Sequence, residues 1–370
     1  MNRESLRGAW KIGTIMGIPI RVHFSWLIVF GLLTWLLSSR YFPQVTPDLP
    51  FVSYWISGAL AALLLFASVA FHELAHSYVA QKYKLTIESI TLFIFGGVAQ
   101  LKGDPPHPRA EFWIAIAGPF SSFFLSAAFF LLMINTAGGA RALFAYLAQI
   151  NLLLGIFNLI PGFPMDGGRV LRAAIWGKKK DYFFATQKAS SIGRGIALFF
   201  IFFGLFSIFR GGMGGLWLMF IGWFLYSAAQ ASYQQATLQE TLSGIKVKDI
   251  MVTEMQTVEP SISLDEVVDK YFLRYGYGGF PVIEGGKFLG ILTLKEVKNV
   301  PREGWGRVKV SEVYVPHDKK WEVPPDADVT RALELMIKED KGRIVVTERD
   351  KIIGLITRNG IARYVQIKGR

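Results

Sequence analysis

The sequence predicts a multi-pass α-helical membrane domain of about six spans with short membrane-associated β-hairpins, followed by a soluble α/β module. Three observations predict it. Hydrophobic residues make up 52% of the 370-residue chain and mean hydropathy is +0.35, as expected of a chain with long apolar segments. Basic residues gather in the apolar part: residues 1–240 hold 18 Lys/Arg against 9 Asp/Glu and residues 241–370 hold 22 against 19, so +9 of the net +12 lies in front and +3 behind. Beyond residue 240 the composition becomes that of a soluble domain, and a pattern about sixty residues long occurs twice. Lys and Arg flank spans and set orientation, so the excess charge needs no nucleic acid to explain it. The chain has no cysteine, which excludes a disulfide framework, a thiolate zinc site and a cysteine nucleophile.

The N-terminal arm, Met1-Asn2-Arg3-Glu4-Ser5-Leu6-Arg7, lacks the early apolar core and cleavage site of a signal peptide, so the first span is expected to insert directly and stay. Residues 10–24 are rich in β-branched side chains and interrupted by Gly13, Gly17 and Pro19, which predicts a short strand or hairpin at the membrane surface. His23, beside Phe24 and Trp26, reads as an interface residue. The first span is residues 24–37 with their flanks, and the second is residues 53–80. Residues 87–100 alternate too irregularly for a span and break at Gly96-Gly97, which predicts a β-hairpin dipping into the bilayer against protein. A proline-rich loop, where His107 reads as a loop histidine, leads to the third span, residues 111–134, with Gly118-Pro119 as a kink or close-packing point. The fourth apolar segment, residues 143–160, is stopped by prolines and glycines, and Asp166 lands just beyond it. Spans five (residues 192–209) and six (residues 216–229) are joined by a glycine-rich linker. Counting Lys and Arg in the short loops puts both termini in the cytosol. Spans two and four then run in the same direction, and His72, His76 and Asp166 fall toward the same, cytosolic side.

His72-Glu73-Leu74-Ala75-His76 ends an apolar run, residues 59–71, whose only polar side chain is Ser68. Ionisable groups at such depth are costly and mark function. On a helix the four-residue spacing sets both imidazoles on one face, about 6 Å apart along the axis, which suits one metal ion. Glu73 is turned from that pair by one step, placed to take a proton from an attacking water rather than to ligate. Most such matches in soluble helices are solvated polar faces, a reading the apolar run opposes. Without cysteine, the third ligand of a catalytic zinc must be His, Asp or Glu. Asp166 fits by depth and side, and Gly167-Gly168 allow close backbone approach to the metal; the other reading is an ordinary turn or helix-terminus Asp. The predicted chemistry is zinc-assisted hydrolysis, with Glu73 handing its proton on to the leaving amine. Asn158 is either a donor to the oxyanion or to an extended substrate, or a helix-capping or interhelical amide.

His72-Glu73-x-x-His76 in a span, the Phe95-Gly96-Gly97 hairpin, Ala117-Gly118-Pro119, and Asn158-x-x-Pro161 followed by Pro164-x-Asp166-Gly167 resemble the site-2 protease family of intramembrane zinc metalloproteases. The resemblance covers residues 1–235. It implies a membrane-embedded zinc metalloprotease domain in the cell membrane, with one Zn2+ held by His72, His76 and Asp166, Glu73 catalytic, and Asn158 supporting substrate or active site. It also implies cleavage of transmembrane segments of other membrane proteins, usually after a first cut has removed an ectodomain. Membrane lipid and a transmembrane protein substrate are the partners expected.

Residues 244–370 divide into half-units 244–300 and 308–370, each reading strand, helix, strand, strand, helix. Phe280-Pro281-Val282-Ile283 with Gly290-Ile291-Leu292-Thr293 recurs as Arg343-Ile344-Val345-Val346 with Gly354-Leu355-Ile356-Thr357. This is similar to a tandem pair of cystathionine-β-synthase-type (CBS) domains, which implies an adenine nucleotide as ligand and a regulatory role. The family position that usually carries a ribose-contacting Asp, three after the Thr, is Glu296 in the first unit and Gly360 in the second. The other reading is a packing module without ligand that dimerises the chain. A rival function is a CBS-domain-containing membrane channel or transporter, with His72, Glu73 and Asp166 as ion-path residues; the His-Glu-x-x-His order discriminates, because ion transport gives no reason for it.

Overall fold

The computed structural model describes residues 8–94, 96–212, 214–339, 341–349 and 351–368, with the backbone alone of Lys102. Residues 1–7 of the N-terminal arm and Phe95 of the hairpin motif lie outside the described residues. The chain divides into two compact units, Met1–Ala236 and Thr237–Arg370.

The first unit begins with strands β1 (Ala9–Ile15) and β2 (Ile18–His23), joined by Met16 and Gly17. Both turn residues take positive φ, 54° and 78°, as a two-residue hairpin turn requires. Helix α1 starts at Ser25–Leu36, passes through a π-turn at Leu37–Tyr41 and ends with Phe42–Val45. Helix α2 (Phe51–Lys82) has 32 residues and is about 48 Å long, well over the thickness of a hydrocarbon core. Strands β3 (Thr86–Phe93) and β4 (Gly96–Lys102) follow as an antiparallel hairpin. The two hairpins form one four-stranded sheet in the order β1-β2-β3-β4, because β2 and β3 pair in parallel with Ile20 opposite Ile90. Its apolar face, Ile18, Ile20, Ile87 and Ile90, packs on Ala80 of α2 and on Ile114 of the next helix, so alternation along the strands serves a buried face.

That helix, α3 (Pro108–Ile134), is capped by His107, whose Nδ1 accepts from the Ala110 N–H at 3.1 Å. Helices α4 (Gly138–Asn158), α5 (Asp166–Lys179) and α6 (Tyr182–Phe209) follow, and α7 (Gly215–Leu242) runs through the end of the first unit at Ala236. Among the described residues five helices are long and apolar enough to cross a membrane: Ser25–Val45, Phe51–Lys82, Pro108–Ile134, Gly138–Asn158 and Tyr182–Phe209. The sixth expected span, residues 216–229, forms the first half of α7 and is not among them. Gln230, Gln234, Gln235 and Glu240 prolong the same helix, and this polar half lowers the hydropathy averaged over a span's length. The helix continues past residue 229 because these residues are good helix formers and no glycine intervenes before Gly244.

In the second unit, β5 (Gly279–Glu284), β6 (Lys287–Thr293) and β7 (Val315–Pro316) form one antiparallel sheet. Strands β8 (Glu322–Val323), β9 (Arg343–Glu348) and β10 (Lys351–Thr357) form the other, covered by helices α8 (Val329–Lys338) and α9 (Arg358–Lys368). Each repeat has its own core: Val258, Leu264, Phe280 and Leu292 in the first, Val323, Met336, Ile344 and Ile356 in the second. The leading segments are exchanged. β7, which precedes the second repeat's helix, pairs with β6 of the first, and Val252, which precedes the first repeat's helix, bridges to Leu355 in β10 of the second.

Candidate metal centre

The long apolar helix α2 buries His72 and His76 on one face, and α5 presents Asp166 as its first residue. Asp166 is thus a helix opener, beyond a tight 159–165 loop, rather than a turn residue trailing α4. His72 Nε2 and His76 Nε2 each lie 3.1 Å from Asp166 Oδ2 and 3.1 Å from one another. Three donors thus converge from two helices on one point, and they are the group of metal-ligating type among the described residues.

The outward nitrogens are held as well. His76 Nδ1 donates to the carbonyl of Ile114 at 2.6 Å, and a carbonyl only accepts, so Nδ1 carries the proton and Nε2 turns a lone pair to the centre. His72 Nδ1 meets Ser122 Oγ at 2.9 Å. Both partners belong to α3, the arrangement by which metal-ligating imidazoles are usually fixed. Helix α3 comes this close only because residue 118 is glycine: a Cβ there would sit 2.5 Å from His72 Nε2 and overlap His76 as well. The Gly118 position is therefore a close-packing point against the imidazoles. Gly167 and Gly168 serve a different neighbour from the one expected. A Cβ on either would strike the backbone of residues 159–163, so these glycines let the loop fold onto α5, and it is this packing that sets where Asp166 starts.

Glu73 is half-buried, and its Cγ lies against β4, where a Cβ at Gly97 would come within 2.7 Å. Burial alone would raise the Asp166 carboxyl; His76 and His72, with Arg169 behind them, outweigh it and hold it well below the ordinary carboxylate range. Arg169 Nη1 stands 3.8 Å from Asp166 Oδ1. Three residues further along α5, Arg172 Nε donates to Glu111 Oε1 at 2.6 Å, and Nη2 converges on the same oxygen. Both arginines turn inward onto carboxylates. A lone glutamate inside the edge of an apolar span is the signal that a cation must come to it. Asn158 ends α4 with Nδ2 donating to Leu154 O at 3.0 Å in its own helix, outside the three-donor cluster. His23 is engaged locally, with Nδ1 at 2.8 Å from Ser25 Oγ and its ring on Phe24.

The donor set fits zinc. A triangle with 3.1 Å edges has its centre about 1.8 Å from each corner, and zinc–donor distances are about 2.0–2.2 Å. One ion of that size would be held by all three donors, His72, His76 and Asp166.

The family model described as peptidase family M50 matches residues 60–138 and 133–203, and the CBS-domain model matches residues 247–303 and 310–367. The protein called Rip3 from Mycobacterium tuberculosis is 35% identical over 370 residues, which is 98% of this chain and 94% of its own. The zinc metalloprotease MJ0392 from Methanocaldococcus jannaschii is 35% identical over 363 residues, 96% of each chain. Among solved structures, a site-2 protease from Methanocaldococcus jannaschii is 35% identical and covers 61% of this chain and 95% of its own, at a TM-score of 0.43.

Proposed function

The chain belongs to peptidase family M50, and on that premise we propose that this metalloprotease cleaves peptide bonds within or near the transmembrane segments of other membrane proteins. One observation carries the reading: two imidazole nitrogens on a helix apolar enough to cross a membrane meet a carboxylate oxygen from the start of α5 at 3.1 Å. The same convergence, and the metalloprotease relatives, disfavour a CBS-domain channel or transporter.

In this reading His72, His76 and Asp166 hold one Zn2+, which when bound polarises the scissile carbonyl and makes a water nucleophilic at neutral pH. Ile114 O and Ser122 Oγ keep the two imidazoles turned to that point. Glu73, one residue from His72 and facing β4, takes the proton of the attacking water and returns it to the leaving amine. Asn158, at the end of α4, supports the substrate or the developing oxyanion once its amide leaves the Leu154 carbonyl.

The catalytic domain occupies residues 1–235 in the cell membrane, in contact with lipid, and the CBS module occupies residues 244–370, with repeats at 244–300 and 308–370. Both termini and the module face the cytosol; the basic short loops support that orientation. The module binds an adenine nucleotide, which regulates cleavage, and brings two chains together. In the first repeat the Glu296 carboxylate already caps its helix, accepting from the Thr293 N–H at 3.1 Å, so the ribose is held by other groups there. The test is Glu73→Gln in the purified full-length chain: zinc is expected to stay bound while cleavage of a model transmembrane substrate is lost. Residual cleavage by that variant removes Glu73 as the base, and wild-type protein without zinc removes the whole site.

A further inference from the structure

The Arg172 guanidinium touches α3, α6 and the loop that leads into Asp166. Its Nε and Nη2 meet Glu111 on α3, and Nη1 reaches Thr186 Oγ1 on α6 at 3.4 Å. Its plane lies 4.9 Å from the Phe163 ring in the 159–165 loop and 4.6 Å from the Tyr182 ring at the start of α6. Arg172 itself lies six residues after Asp166 on the same helix, about 9 Å along the axis. The other end of the pair is on α3, the helix that supplies Ile114 O, Ser122 Oγ and the Gly118 gap to the two histidines.

We propose that the Glu111–Arg172 ion pair positions Asp166, tying the helix that carries the carboxylate ligand to the helix that orients the two imidazoles. Stability alone does not account for the pair. Glu111 is 0% exposed and its Oε2 has no partner among the described residues. A buried pair with an unsatisfied oxygen is generally no better than well-packed apolar side chains of the same volume. Apolar side chains cannot supply direction. A guanidinium with two N–H groups on one oxygen and rings stacked on its plane fixes the rotation of α5 as well as its distance.

The proposal rests on the zinc reading, so its test separates the two. Full-length protein in detergent is titrated with zinc against a chelator, its Co2+-substituted visible spectrum is recorded, and its thermal unfolding is followed. The variants are Glu111→Gln, Arg172→Lys, the apolar pair Glu111→Leu/Arg172→Met, and His72→Ala. Both single variants are expected to bind zinc ~10- to 100-fold more weakly, the range for groups that support metal ligands, and to change the Co2+ spectrum. The apolar pair is expected to recover the unfolding temperature without recovering zinc affinity. The proposal is overturned if the apolar pair binds zinc as the wild type does, or if the single variants lower the unfolding temperature alone. Should Glu111→Gln fail to fold, Arg172→Lys keeps the charge and decides the question. Wild-type protein that binds no zinc, or a His72→Ala variant that binds it unchanged, refutes the zinc reading itself.

Discussion

Replacing Gly118 by alanine is expected to disable the metal centre although residue 118 offers no ligand. The added Cβ sits 2.5 Å from His72 Nε2, and ordinary contact begins at 3.4 Å, so α3 or the imidazole must move by about 1 Å. Neither is free to move. His72 is held at Nδ1 by Ser122, His76 by the Ile114 carbonyl, and both partners sit on α3 within four residues of Gly118. Retreat of α3 therefore drags the two outer hydrogen bonds with it. Overpacking of this kind costs about 1–3 kcal/mol of stability, and a displacement near 1 Å at a reacting centre costs on the order of 100-fold in rate. Zinc content of the purified variant and its cleavage of a transmembrane model substrate, each at equal protein concentration, measure the two effects. Full zinc occupancy with wild-type cleavage refutes the reasoning, since α3 then cannot pass so close to the rings.

Asp166→Ala is expected to lower bound zinc sharply while leaving the apolar helices in place, as metal analysis and circular dichroism together would report. In the second unit, Met336 is fully buried among Val323, Ile344 and Ile356, so Met336→Ala should cost about 2–5 kcal/mol by denaturant unfolding of the full chain, with zinc binding preserved. Adding AMP or ATP to the full-length enzyme should change its cleavage rate; equal rates across a nucleotide titration would dismiss the regulatory role and leave the protease reading standing.

Local signals carried much of this architecture. Gly17 and Gly96-Gly97 marked the two hairpins, the apolar runs marked the helices, and loop charge placed His72, His76 and Asp166 on one side. What escaped the sequence was non-local. Nothing in residues 18–23 or 86–93 alone shows that β2 and β3 pair with each other, because either hairpin satisfies its own alternation. The ion pairs of Arg169 and Arg172 leave no local mark, because their carboxylate partners lie one turn behind on the same helix and on another helix. The sixth expected span stops at residue 229 because composition changes there, while helical propensity does not and α7 runs on to Leu242. The exchanged lead-in segments of the repeats were hidden for a related reason: β7 has two residues, too few to show any period.

The parallel register of β2 with β3 has a consequence for biogenesis. Parallel neighbours cannot be joined by a tight turn, and here the connection is the whole of α1 and α2. The sheet can therefore close only after both helices have been made and have folded back to bring β3 beside β2. Until then β2 keeps a bare edge, the kind of edge that invites pairing with another chain. Sheet closure thus requires the helix bearing His72 and His76 to be folded back, and calls on no residue of α5, which follows later in the chain with Asp166.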